Sequence, residues 1–117
     1  MTWSIIFRER DSGRIGIAVA TKFFAVGARV PNIAAGIGAV ATQALINPFY
    51  GVNGLKALRE GLSPGETIAR VISADTGRDH RQLHVIDASG RSAAHTGSAC
   101  VWQAIRRARD PRQGTMV

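Results

Sequence analysis

The sequence predicts an α+β fold in which strand-rich ends flank a central pair of helices. Two observations carry this. Short, β-rich apolar segments cluster into a hairpin near each end, and two helix-start signatures lie between them. Strands grouped apart from helices point to antiparallel layers, not to alternating βαβ units.

The first hairpin is read from residues 3–8 (WSIIFR) and 14–20 (RIGIAVA), joined through ERDSG, whose Asp11-Ser12-Gly13 suits a tight turn. After Lys22-Phe23-Phe24 and Pro31 comes AAGIGAVATQAL, which is too rich in glycine for a helix at about 1 kcal/mol per Gly against Ala. A buried strand over 36–43 fits better, its glycines allowing another backbone to approach closely. Asn47-Pro48 is a break, and a proline is tolerated in the first turn of the helix expected over 48–60, with Leu55 and Leu58 facing inward and Gly61 as its stop. Ser63-Pro64-Gly65-Glu66 is a capping box opening a second helix, on which Ile68, Val71 and Ile72 share a face. SADTGRDH reads as a loop. Strands over 82–87 and 91–96, turning at Asp-Ala-Ser-Gly, form the second hairpin.

With 117 residues, 45% of them hydrophobic, the chain fits one domain, 1–117, ending in a divergent tail over 102–117. It lacks a basic-then-apolar leader and any apolar run near the roughly 20 residues a membrane span needs, so no membrane partner is expected. Cys100, the single cysteine, excludes an intramolecular disulfide and fits a reducing, cytoplasmic setting. The net charge of +7 is dispersed, apart from Arg106, Arg107, Arg109 and Arg112 in the tail. Without a basic stripe interleaved with aromatics, it reads as solvated surface, and no nucleic-acid partner is expected.

Candidate chemistry begins at Thr2. If Met1 is removed, Thr2 carries a hydroxyl nucleophile and a free α-amine, whose reference pKa of about 7.7–8.0 suits it to accept the hydroxyl proton. Gly36–Gln43 could offer backbone N–H donors as an oxyanion hole, although a small-residue buried strand also accounts for it. His80, His84 and His95 match no zinc spacing, so neither metal nor cofactor is expected, and His95 at a strand end is the one histidine that suits a site. Asp11, Asp75, Asp79 and Asp87 fall in turns and loops, where a turn role suffices. Cys100 has no histidine placed to activate it and reads as a buried thiol.

Taken together, the blocks KFFAVG, GAVATQ, NPFYG and AAHTG make residues 2–101 resemble an uncharacterised bacterial family, domain of unknown function 1028. That family is grouped with the N-terminal nucleophile hydrolases. The resemblance implies a four-layer αββα sandwich of two antiparallel sheets with helices outside. It also implies that Thr2 attacks an amide carbonyl and forms an acyl-enzyme, with Lys22 as a nearby cation that keeps the α-amine neutral. The Thr42–Gln43 backbone would supply the oxyanion donor, and Asn47 and His95 would be substrate-side or orienting groups. The implied partner is a small-molecule amide.

Relative to the family pattern the chain reads as C-terminally shortened, with 103–112 unfamiliar, as a compensated frameshift would leave it. Read as written, the tail predicts a short helix over 101–109. A shortened sandwich exposes sheet edges and an apolar face, which points to a homo-oligomer. A catalytically idle sandwich serving as a binding or assembly module is the alternative to an amidohydrolase.

Overall fold

The computed structural model describes residues 2–100, 107–110 and 114–116. The elements run β1 (Thr2–Arg8), β2 (Ile15–Thr21), β3 (Pro31–Ala34), β4 (Gly38–Ala44), α1 (Phe49–Arg59), α2 (Pro64–Ser73), β5 (Arg81–Asp87), β6 (Ser92–Thr96), β7 (Arg107–Asp110) and β8 (Gly114–Met116). Two antiparallel four-stranded sheets result, in the orders β2-β1-β8-β7 and β3-β4-β5-β6. The α+β class and both hairpins are as the sequence predicts. The strands β3, β7 and β8 are additions, and of the helix expected over 101–109 the described part, 107–109, lies in strand β7.

Register explains the layering. In β1, Ser4 and Ile6 are buried while Trp3, Ile5 and Phe7 are exposed, the two-residue alternation of a strand with one covered face. Ile6 packs with Ile15, Ile17, Val19, Ala39, Ala41 and Ile86, so the inward face of the first sheet meets one face of the second. The opposite face of the second sheet carries Val40, Leu83 and Val85, which pack against Tyr50, Leu58 and Ile68 of the helices. Among the described residues this makes three layers (helices, sheet, sheet), and the outer face of the first sheet bears no helix.

Both helices start as their residues dictate. Ser63 Oγ accepts from the Glu66 N–H at 3.3 Å while Glu66 Oε2 accepts from the Ser63 N–H at 2.8 Å, closing the capping box. Asn47 Oδ1 accepts from the Phe49 N–H at 3.0 Å, which satisfies an otherwise orphaned donor in the first turn of α1. Close approach fixes one glycine. At Gly38, with φ +151°, a Cβ would sit 2.3 Å from the Ile86 carbonyl oxygen, so β4 and β5 could not keep their register with any larger residue there.

Candidate functional site at one end of the sheets

Because strand pairing puts directly opposed residues on the same face, the registers sort the space between the sheets into rows. The outermost row holds Thr2 and Thr21 from the first sheet, and Gln43, Gln82 and Thr96 from the second. Next come Ser4 and Val19, facing Ala41, His84 and Ala94. The third row, Ile6, Ile17, Ala39 and Ile86, begins the apolar core. Of these three rows, the two nearest Thr2 carry the polar side chains.

The outer row is hydrogen-bonded across the sheets. Thr2 Oγ1 lies 3.0 Å from Thr21 Oγ1. Ser4 Oγ donates to Gln43 Oε1 at 2.7 Å, and Gln43 Nε2 donates to Gln82 Oε1 at 2.5 Å and to the Thr2 carbonyl oxygen at 3.5 Å. Gln82 Nε2 in turn donates to Thr96 Oγ1 at 3.2 Å. Thr2 is half-buried at the rim, whereas Gln43 and Gln82 are buried behind it.

Of the residues singled out in the sequence, the structure brings Thr2 and Gln43 together. Lys22 follows Thr21 directly and is exposed, with no hydrogen bond or ion pair to Thr2 among the described residues. Thr42 points its side chain the other way, toward the helices. Its N–H is already committed to the Val30 carbonyl at 3.2 Å. Backbone groups in an antiparallel ladder alternate between neighbours, so the Gln43 N–H is directed at β5. The polar group that Gln43 turns toward Thr2 is therefore its side-chain amide, not its backbone.

His95 also lies on the helix-facing side, paired with Leu83, and its Nε2 is 3.1 Å from the Arg78 carbonyl oxygen. The neighbour that does face Thr2's row is Thr96. Cys100 is half-buried, with Sγ 3.4 Å from the Arg81 carbonyl oxygen, and no histidine bonds it among the described residues. No group of three or more His, Cys, Asp or Glu side chains suited to a metal occurs among the described residues. Nor is any helix there long and apolar enough to cross a membrane.

At the same end of the fold Asp75 holds a second cluster, which turn chemistry alone did not reveal. Its Oδ2 accepts from Asn47 Nδ2 at 3.0 Å, Tyr50 Oη at 2.8 Å and Arg81 Nε at 3.0 Å, and its Oδ1 accepts from the Gly77 N–H at 2.8 Å. The Arg81 guanidinium, then Asn47 and Tyr50, hold the Asp75 carboxyl well below the usual carboxylate range. Burial first, and Asp75 second, push the Tyr50 phenol up. Asn47 is thereby a structural tie between the start of α1 and the loop after α2. Asp75→Ala leaves Arg81, Tyr50 and Asn47 donors without their acceptor. We expect a loss of about 2–3 kcal/mol of stability, the scale for charged hydrogen bonds and partly buried pairs; urea unfolding measures it, and an unchanged midpoint would refute the role.

The sequence matches the family model described as "Family of unknown function (DUF1028)" over residues 2–113. Among solved structures, it is similar to protein SPO2555 from Silicibacter pomeroyi, itself assigned to DUF1028, at 35% identity and a TM-score of 0.86. That match covers 98% of this chain and 52% of the other, so the chain spans about half the length of that protein. No curated protein matches it.

Proposed function

The chain belongs to the DUF1028 family, and from its geometry we propose an N-terminal-threonine amidohydrolase of the N-terminal nucleophile type, acting on a small amide. One observation carries the reading: Thr2 stands half-buried at the rim of the gap between the sheets, in a row whose described side chains are all uncharged hydrogen-bonding groups. A nucleophile needs access on one side and ordered donors on the other, and this row supplies both.

In the proposed reaction, Met1 has been removed and the α-amine of Thr2 is free. Thr2 Oγ1 attacks the amide carbonyl carbon as the α-amine takes the hydroxyl proton. The tetrahedral intermediate collapses, the C–N bond breaks, and the α-amine returns that proton to the leaving amine. Water then adds to the threonyl ester, losing a proton to the α-amine; the ester C–O bond breaks, the α-amine returns that proton to Thr2 Oγ1, and the acid is released. Lys22, one residue beyond Thr21, is the cation that favours the neutral amine. The Gln43 side-chain amide, by exchanging its long bond to the Thr2 carbonyl oxygen for one to the substrate, supplies the donor for the developing oxyanion.

Intact-mass measurement of the purified chain tests the premise. The expected mass lacks Met1; a chain that keeps Met1 and still hydrolyses amides would exclude the α-amine mechanism.

A second observation favours assembly as an additional or alternative role. On the outer face of the first sheet Trp3, Ile5 and Phe7 are 55%, 36% and 40% exposed, and by register they stand beside Ala20, Ala18 and Gly16. A ridge of large residues beside a trough of small ones is self-complementary. Turned over about an axis parallel to the strands, a second copy sets each ridge into the other's trough. Light scattering should show a concentration-dependent homodimer that Trp3→Glu dissolves, and a strictly monomeric chain would remove this reading.

A further inference from the structure

One row behind Thr2 lies a group that the proposed hydrolysis does not use. His84 is 2% exposed, flanked in its own sheet by Ala41 and Ala94, and neither ring nitrogen has a hydrogen-bond partner among the described residues. By register it faces the gap between the sheets, as its neighbours Gln82 and Ile86 do, and Gln82 stands about 7 Å nearer the rim along β5. Between His84 and solvent are the amides of Gln43 and Gln82, bonded to each other and to Ser4, Thr96 and the Thr2 carbonyl.

We propose that this gap, entered at Thr2 and closed by the Gln43–Gln82 pair over His84, is a subsite for an uncharged carboxamide. It rests on the Thr2 reading only in taking that rim as the entrance. Two arguments select the ligand class. The first is charge. In the two rows nearest the rim His84 is the single titratable side chain on the inward faces among the described residues, and burial depresses its pKa to about 4, so it is neutral near pH 7. A carboxylate or ammonium placed beside His84, one row behind the Thr2 α-amine, would find no opposite charge among the described inward side chains, and an unpaired buried charge is strongly disfavoured. Lys22 is exposed outside the gap.

The second argument is exchange. A carboxamide carries the same donor and acceptor as a glutamine side chain, so it can take the place of one partner in the Gln43–Gln82 bond without leaving the other unsatisfied. Its second N–H and its carbonyl lone pairs then match a neutral imidazole, which offers one acceptor and one donor. His84 is placed to receive a ligand group that its own chain does not supply.

The experiment is an NMR titration of the uniformly ¹⁵N-labelled chain at pH 7.5 with propionamide and, separately, with its near-isosteres propionate and propylammonium. Propionamide is expected to shift the His84 ring nitrogens saturably, with the two charged probes at least tenfold weaker. His84→Phe identifies the ring signals and should weaken propionamide binding at least tenfold, read at the Gln43 and Gln82 side-chain amides. Should that variant not fold, the response of the wild-type ring still decides. A His84 ring unmoved by propionamide, or moved equally by propionate, overturns the proposal. Repeating the titration on Thr2→Ala separates the two ideas. Binding without hydrolysis in Thr2→Ala supports both. Hydrolysis by the wild-type chain with no response at His84 sinks the subsite alone, and a saturable response with no hydrolysis in the wild-type chain sinks the Thr2 reading alone.

Discussion

Thr2→Ala is expected to lower amide hydrolysis by at least about 10³-fold, the scale on which removing an activated hydroxyl nucleophile acts, while leaving the fold in place. The structural side of that expectation follows from what Thr2 touches. Its hydroxyl bonds Thr21 Oγ1 at 3.0 Å, in a half-buried position at the end of β1. Losing one such neutral bond costs about 1 kcal/mol. Thr21 Oγ1 keeps a further contact, accepting from the Phe23 N–H at 3.3 Å, and the Thr2 carbonyl still accepts from Gln43. A melting temperature within a few degrees of wild type together with abolished turnover is therefore the predicted pair of results. Thr2→Ser, which keeps the hydroxyl and the α-amine, should retain activity. Turnover that survives Thr2→Ala places the nucleophile elsewhere, and an unfolded Thr2→Ala chain contradicts the peripheral role of this hydroxyl.

Local signals carried most of the fold. Ser63 and Glu66 specify the start of α2 through their own side chains, and the structure shows both halves of that box. Of the strand expected over 36–43, Gly36 falls in the turn before β4 with φ +71°, and the strand itself starts at Gly38, which passes within contact of Ile86. What stayed hidden was non-local. β3 is four residues long and is held by its pairing with β4, and β8 gains its place by inserting beside β1 from the far end of the chain. Neither depends on a local pattern strong enough to read.

The site followed the same division. Thr2 and Gln43 were legible as residues, but which face each neighbour takes depends on register, and a shift of one residue reverses it. That is why His95 was expected at the site while Thr96, its neighbour in the chain, is the residue that faces it. Alternation within RQLHVID could have pointed to Gln82 and His84 as one face, had the buried side of that strand been known. Asp75 was hidden for another reason: its partners Asn47, Tyr50 and Arg81 converge from three separate segments.

His84 makes the fold acid-sensitive in a window of its own. Burial lowers its pKa from 6.5 to about 4, so between those values the unfolded chain binds a proton that the folded chain refuses. Stability therefore falls as the pH is lowered through that window and is fully present above it, by about 3 kcal/mol in all. Asp75 and Asp87 act lower. Both carboxyls are depressed in the fold, so their contributions are complete above the unfolded carboxylate range near ~3.9 and fade only as the pH drops below it. The two effects separate on the pH axis. Urea unfolding between pH 7 and pH 4.5 should show a progressive loss in the wild-type chain and a nearly flat line in His84→Phe. At neutral pH the same variant should be no less stable than wild type. It removes two buried nitrogens left without partners among the described residues, at a position whose flanking residues in the sheet, Ala41 and Ala94, are small. An acid limb that persists unchanged in His84→Phe would assign the proton to another group. A limb that disappears assigns the titration to His84 and confirms that the imidazole is held neutral in the fold.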